Sequence, residues 1–169
     1  MKVYTKTGDS GKTSLFSGER VYKHFPEISL VGSIDELQSF IGLVKTAKIK
    51  SSDKKTLQEI QQDLYQIMGH ISGAKIEIST LNNKINLFEQ IIDKLSVGQV
   101  KQDSFILPGS TEISAKLHIL RTICRRTERE MIKFFFEKKI LDEKHSQLLI
   151  SYFNRLSDLF YTLARKYEK

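Results

Sequence analysis

The chain is poor in the residues that define several protein classes: one Cys, two Pro and no Trp in 169 residues. A lone Cys124 excludes an internal disulfide framework and fits a reducing compartment. Two prolines, nine glycines and 28% charged residues do not describe a disordered or low-complexity chain. No apolar run approaches the roughly 20 residues of a membrane span. Met1 to Asp9 has no hydrophobic stretch followed by a small-residue cleavage site, so no secretory signal is expected. His24, His70, His118 and His145 show neither HExxH nor CxxC-type spacing, which argues against a zinc site. These absences leave one expectation: a soluble, cytoplasmic single domain over residues 1–169, with no membrane association.

What is present begins with charge. Lys and Arg number 27 against 20 Asp and Glu, a formal net charge of +7, which implies an anionic partner without naming it. From about residue 29 onward the chain reads as helix. Ile34, Leu37, Ile41 and Val44 follow helical spacing, and Ser33-x-x-Glu36 matches a capping box, placing the start within about a turn of Ser33. Thr56-x-x-Glu59 is a second such box, followed by the stripe Leu57, Ile60, Leu64, Ile67, Ile71 and Ile78. Ile85, Phe88, Ile92 and Leu95 make a shorter helix ending near Gly98. Leu107-Pro108-Gly109-Ser110 then introduces a long run, Ile113 to about residue 138. Asp142 and Glu143 open a last helix carrying Leu149, Phe153, Leu156, Phe160 and Leu163. Five amphipathic helices with mostly short connections predict an all-α five-helix bundle over 29–169.

Residues 1–28 do not fit that pattern. They hold Gly8, Gly11 and Gly18, a series of hydroxyl residues between Thr5 and Ser17, and little helical periodicity. Thr5-Lys6-Thr7-Gly8-Asp9-Ser10-Gly11-Lys12-Thr13-Ser14 has the ingredients of a phosphate cradle: glycines that expose N–H groups, hydroxyl donors and lysine charge. A Walker A loop would need glycine where Lys6 stands and a buried strand before it, so the P-loop reading fails. The bland alternative for this segment is a flexible terminus.

The fourth helix carries the sharper signal. At 100° per residue, Arg121, Arg125, Glu128 and Arg129 fall within a sector roughly 100° wide, beside the apolar stripe of Leu117, Leu120, Cys124 and Met131. Arg126, Glu130 and Lys133 fall on the far side, where solvated charges are expected. An i, i+4 ladder through Glu128 accounts for part of the sector, but positive charge is left over. A triphosphate, or a carboxylate from another helix or subunit, would satisfy it. In the last helix Asn154 and Asp158 share a face one turn apart.

In this order the pieces resemble the corrinoid adenosyltransferases of the PduO type. The resemblance rests on Tyr4 to Gly11, Arg20-Val21-Tyr22-Lys23, Gly32-Ser33-Ile34-Asp35-Glu36-Leu37, Phe105-Ile106-Leu107-Pro108-Gly109, the Arg121 to Arg129 segment and Asn154-Arg155-Leu156-Ser157-Asp158. It covers nearly the whole chain. It departs from the family pattern at Ser110, where glycine is common, and at Phe153, where leucine is usual; neither change removes a polar group.

The resemblance implies transfer of adenosyl from ATP to cob(I)alamin, with ATP and cobalamin as substrates and Mg²⁺ held mainly through the phosphates, with Glu128 as a protein contributor. It implies a homotrimer with ATP at subunit interfaces. ATP contacts would come from Thr5, Lys6, Thr7, Gly8, Asp9, Ser10, Gly11, Lys12, Thr13, Ser14, Lys23, Arg125, Glu128, Arg129 and Asn154. Asp35 and Arg121 would form an ion pair between subunits, and Phe105 would close the lower face of the corrin. Phe105, Arg125 and Arg129 are thus the candidate catalytic residues. A reductase supplying the electron and an acceptor enzyme taking the product are implied partners. The competing reading of the charge is a basic helical nucleic-acid-binding protein; against it, the lysines are scattered over every helix and no aromatic–basic platform stands out.

Overall fold

The computed structural model describes residues 2–97 and 107–168. Two short strands, β1 (Lys12–Ser14) and β2 (Arg20–Tyr22), precede five helices: α1 (Pro26–Lys45), α2 (Ser51–Ile71), α3 (Leu81–Ser96), α4 (Glu112–Glu137) and α5 (Lys144–Lys166). The five-helix expectation holds.

Helix α1 starts at Pro26, about two turns before Ser33. Proline at the first helical position has no N–H to lose and a preset φ, so it starts the helix without a side-chain cap. Ser33 therefore lies inside α1, where its Oγ donates to Glu130 of α4. The second capping box is likewise internal: α2 starts at Ser51, and Thr56 Oγ1 donates back to the Ser52 carbonyl at 3.2 Å. Helix α4 has a genuine side-chain cap, Thr111 Oγ1 accepting from Ser114 N at 3.1 Å.

The α2 stripe ends earlier than its apolar spacing suggests. Gly73, with φ +88°, closes the helix through the Gly73 N to His70 O and Ala74 N to Gly69 O hydrogen bonds, a Schellman stop. Ile78 is buried but belongs to the following connection. Lys139 makes the equivalent stop after α4 with φ 59° and no glycine.

The core runs along the centre of the bundle. Helices α4 and α5 pack most extensively, with α1 against α4, α3 against α5 and α2 against α1. Leu37, Ile41, Leu57, Ile60, Leu64, Leu120, Tyr152, Phe153, Leu156 and Phe160 are fully buried. Removing such a side chain from water contributes about 1.5–3 kcal/mol each. Two buried carboxylates, Asp63 and Asp53, are partnered across helices. Tyr152 OH donates to Asp63 Oδ2 at 3.0 Å, and burial raises the Asp63 carboxyl despite the nearby Lys84. At the bundle end, Asp53 accepts from Lys166 Nζ at 2.7 Å and from Tyr167 OH at 2.6 Å, while the Tyr167 carbonyl accepts from Thr111 at 2.6 Å. These contacts fix the end of α5 to the starts of α2 and α4. Among the described residues, no helix is long and apolar enough to cross a membrane.

Candidate active site

The N-terminal segment is an ordered hairpin rather than a loose end. Strands β1 and β2 pair antiparallel, with Lys12 opposite Tyr22 and Ser14 opposite Arg20. Lys12 Nζ lies 4.7 Å from the Tyr22 ring centre, a cation–π contact that fits this register. Gly11-Lys12-Thr13 thus leads into a strand, whereas in a P-loop the lysine opens a helix. The turn Leu15–Gly18 docks on the α2–α3 connection, where Ser17 N donates to Ser72 O at 3.3 Å.

Before β1 the backbone folds into consecutive turns, with Asp9 N donating to Lys6 O and Gly11 N to Gly8 O. Lys6 takes φ 59° and Gly11 φ 77°, so the first of these left-handed positions is filled without glycine. Three contacts tie this loop to β2 and to the residue that follows it. Arg20 Nη2 donates to Thr7 O at 2.7 Å, and Lys23 N donates to Gly11 O at 2.9 Å. The Lys23 ammonium sits over Gly8, 3.2 Å from where a Cβ would lie. Thr5 and Thr7 hydroxyls share a hydrogen bond of 2.8 Å. Asp9, Ser10 and Ser14 are exposed, and Gly8 and Thr13 are half-buried. The loop is largely exposed, with the Thr5–Thr7 hydroxyl pair on it and the Lys23 ammonium against Gly8.

The second set of residues lies on α4 and α5. Arg125 and Arg129 are exposed, and neither pairs with a carboxylate among the described residues. Arg129 Nη1 donates to the Arg125 carbonyl at 3.0 Å. Glu128 is half-buried, and its Oε1 accepts from Asn154 Nδ2 of α5 at 3.1 Å. That bond leaves Glu128 Oε2 and the Asn154 side-chain oxygen, Oδ1, for other partners. Beneath this face the Cys124 thiol is buried and donates to Phe153 O at 3.3 Å; burial first, then the Glu128 charge, pushes it well above its ordinary range. It is a packing residue.

Arg121 lies two turns along the same face, half-buried, with its Nε enclosed and without a hydrogen-bond partner. Asp35 is exposed on α1, and no ion pair joins the two within the chain. Among the described residues, no hydrogen bond or ion pair joins Thr5–Ser14 or Lys23 to Arg125, Glu128, Arg129 or Asn154. A single chain thus brings together each half of the expected nucleotide site but not the two halves. Phe105 lies outside the described residues.

Arg126 and Glu130 differ from expectation. Rather than standing free in solvent, Arg126 pairs with Glu36 of α1, and Glu130 accepts from Ser33. Thr127 Oγ1 adds a contact to Ser33 O at 3.3 Å. Sequence periodicity placed these residues away from the α4 stripe but could not show that α1 covers that side. The usable signal was Ser33 and Glu36, spaced three apart on α1 and matching Glu130 and Arg126 four apart on α4. No group of three or more His, Cys, Asp or Glu among the described residues is arranged to hold a metal ion.

Comparison with known proteins completes the picture. The chain is 35% identical over 170 residues to the corrinoid adenosyltransferase PduO of Salmonella typhimurium, covering 98% of this chain and 49% of that protein. It therefore spans about half the length of that relative. It is 36% identical to a cobalamin adenosyltransferase of Cupriavidus metallidurans, covering 97% of this chain and 86% of the relative. A PduO-type ATP:corrinoid adenosyltransferase variant from Lactobacillus reuteri, solved with cobalamin and ATP, superposes with a TM-score of 0.85 at 31% identity, over 97% of this chain and 92% of that one. None of these relatives supports the nucleic-acid alternative. The cobalamin adenosyltransferase family model matches residues 3–167, so the arginine face, the glycine–lysine hairpin and the five-helix frame are those of a member of the cobalamin adenosyltransferase family.

Proposed function

We propose that this chain is an ATP:corrinoid adenosyltransferase of the PduO type. The observation that carries the proposal is the pair of exposed guanidiniums, Arg125 and Arg129, which pair with no carboxylate among the described residues and flank a Glu128–Asn154 hydrogen bond. Such a face suits an oligophosphate, because guanidinium forks match phosphate oxygens and remain charged at every accessible pH.

The reaction is a displacement at carbon. The Co(I) centre of the corrinoid substrate donates an electron pair to C5′ of ATP, forming a Co–C bond. The C5′–O bond breaks, and its electron pair leaves with triphosphate. The metal centre is itself the nucleophile, so the chain needs no general base and no Ser/His/Asp arrangement. Its own work is positioning and charge stabilisation. As the C–O bond opens, negative charge grows on the leaving triphosphate, and Lys6, Lys23, Arg125 and Arg129 stabilise it. Asn154 holds Glu128 in place and offers its side-chain Oδ1 to the nucleoside. Mg²⁺ would be held mainly through the triphosphate, with the free Glu128 oxygen as the protein contribution, and would supply charge neutralisation there. Phe105 provides an apolar wall that excludes an axial ligand and favours reduction of Co(II).

The complete site lies between copies in a homotrimer. The hairpin and Lys23 of one subunit meet Arg125, Arg129 and Asn154 of the next, and Asp35 pairs with the neighbouring Arg121. Supporting this are the two halves left unjoined within one chain and the enclosed, unpartnered Nε of Arg121. The deciding experiment mixes the protein with ATP, Mg²⁺ and chemically reduced cobalamin. A light-sensitive spectrum of a Co–C product is expected. No spectral change, together with salt-sensitive DNA or RNA binding, would refute the reading.

A further inference from the structure

Arg20 is a hairpin cation to which the nucleotide assignment gives no task. It is exposed and pairs with no carboxylate among the described residues. Its guanidinium is instead spent on a neutral group, the Thr7 carbonyl, which Nη2 reaches at 2.7 Å.

The loop that receives this bond holds itself weakly. Its internal turn bonds, Asp9 N to Lys6 O at 3.3 Å and Gly11 N to Gly8 O at 3.2 Å, lie at the long end of the N–H···O range. Lys6 adopts φ 59°, a conformation that costs energy in any residue carrying a Cβ, and Thr7 directly follows it. Contacts this weak leave a segment free to open locally.

The tethers from outside the loop are shorter. Beside the 2.7 Å bond from Arg20, Lys23 N holds Gly11 O at 2.9 Å. Among the described residues, Arg20 supplies the only side-chain hydrogen bond that reaches the loop from outside it. Its own position is set by the sheet. Arg20 stands opposite Ser14 in the β1–β2 pair, and strand alternation buries Val21 while leaving Arg20 and Tyr22 exposed. The guanidinium is thus mounted on an anchored strand and fixes a peptide of the loop without using any loop N–H, the groups an anion needs.

We infer that Arg20 is a positioning residue for ATP: by pinning the Thr7 carbonyl it presets the 5–11 loop in the conformation that receives the phosphates. It acts through the loop and touches no reacting atom. Its benefit therefore falls on binding, because the loop is ordered before ATP arrives. The identity of the ligand rests on the adenosyltransferase reading.

The test compares wild type with Arg20→Met, which keeps an unbranched stem and removes every donor, and with Arg20→Lys, which keeps one charged donor. Arg20→Met should raise the ATP KM and Kd about five- to tenfold, as the binding-competent fraction of the loop falls. Its kcat at saturating ATP, corrinoid KM and Tm should match wild type. In the free protein, trypsin should cut after Lys6 severalfold faster, since cleavage follows the population of the opened loop. Arg20→Lys should recover most of both effects. A wild-type ATP Kd in Arg20→Met would overturn the inference. So would weakened ATP binding with unchanged cleavage after Lys6, the mark of a direct phosphate contact, or a fall in kcat. Kd and cleavage need no turnover: if both change in Arg20→Met while wild type forms no Co–C product, the clamp stands and the transfer reading falls.

Discussion

Replacing Arg125 by alanine separates binding from folding more cleanly than any other change at the proposed site. Its side chain is exposed and makes no hydrogen bond or ion pair within the described residues; only its backbone carbonyl is used, by Arg129 at 3.0 Å. Alanine keeps that carbonyl and is the better helix former, so stability should stay within about 0.5 kcal/mol of wild type. Phosphate recognition should suffer far more. A bidentate guanidinium makes two charge-assisted hydrogen bonds at about 1.5–3 kcal/mol each, or roughly 3–6 kcal/mol together. At about 1.4 kcal/mol per tenfold, the ATP Kd should rise by roughly 10² to 10⁴. Arg125→Lys retains the charge but loses the fork, and should fall between the two. Isothermal titration with ATP and Mg²⁺, beside a thermal melt, measures both quantities. An Arg125→Ala protein that melts like wild type and binds ATP within about threefold of it would refute the role given to this face.

Asp35→Ala and Arg121→Ala should each weaken the trimer, seen as a shift toward monomer in sedimentation velocity; an unchanged trimer would remove the ion pair from the account. Phe105→Ala should bind ATP normally yet lose adenosylation starting from Co(II), and unchanged turnover would dismiss its role. Tyr167→Phe should cost about 1.5–3 kcal/mol at pH 7, since its hydroxyl donates to the Asp53 carboxylate at 2.6 Å. Burial first, and then this hydrogen bond, push the Tyr167 hydroxyl from 10.0 up to about 12. A raised acid stabilises the fold below its unfolded value, so the gap between wild type and Tyr167→Phe should close as pH climbs from about 10 to 12. A gap independent of pH in a denaturant titration would contradict this. Gly73→Ala should cost about 1–2 kcal/mol, because alanine must adopt φ +88° with Ser17 Cβ 3.3 Å from the added methyl. At roughly 2–4 °C per kcal/mol for a chain of this size, a melt resolves it.

The amino-acid sequence by itself determined the five helices, most of their buried stripes and which residue types make up both halves of the candidate site. Each of these is a local property. Leu117, Leu120, Cys124 and Met131 share a side of α4 because of helical period alone, and the same period gathers Arg121, Arg125, Glu128 and Arg129 beside them. The glycine–lysine loop was legible because turn geometry and charge are carried by adjacent residues.

Tertiary structure decided where elements meet. Ser33 and Thr56 have the spacing of caps, but local preference yields to packing: Pro26 starts α1 early enough for Ser33 to reach Glu130. Apolar period carried the α2 stripe to Ile78, although the left-handed turn at Gly73 ends the helix; a buried residue after a Schellman stop satisfies the same hydrophobic pattern without being helical. Arg126 looked solvated until the crossing of α1 over α4 set Glu36 against it. Side-chain direction along one helix follows from 3.6 residues per turn, but which helix lies opposite depends on crossing angle and burial summed over the whole core.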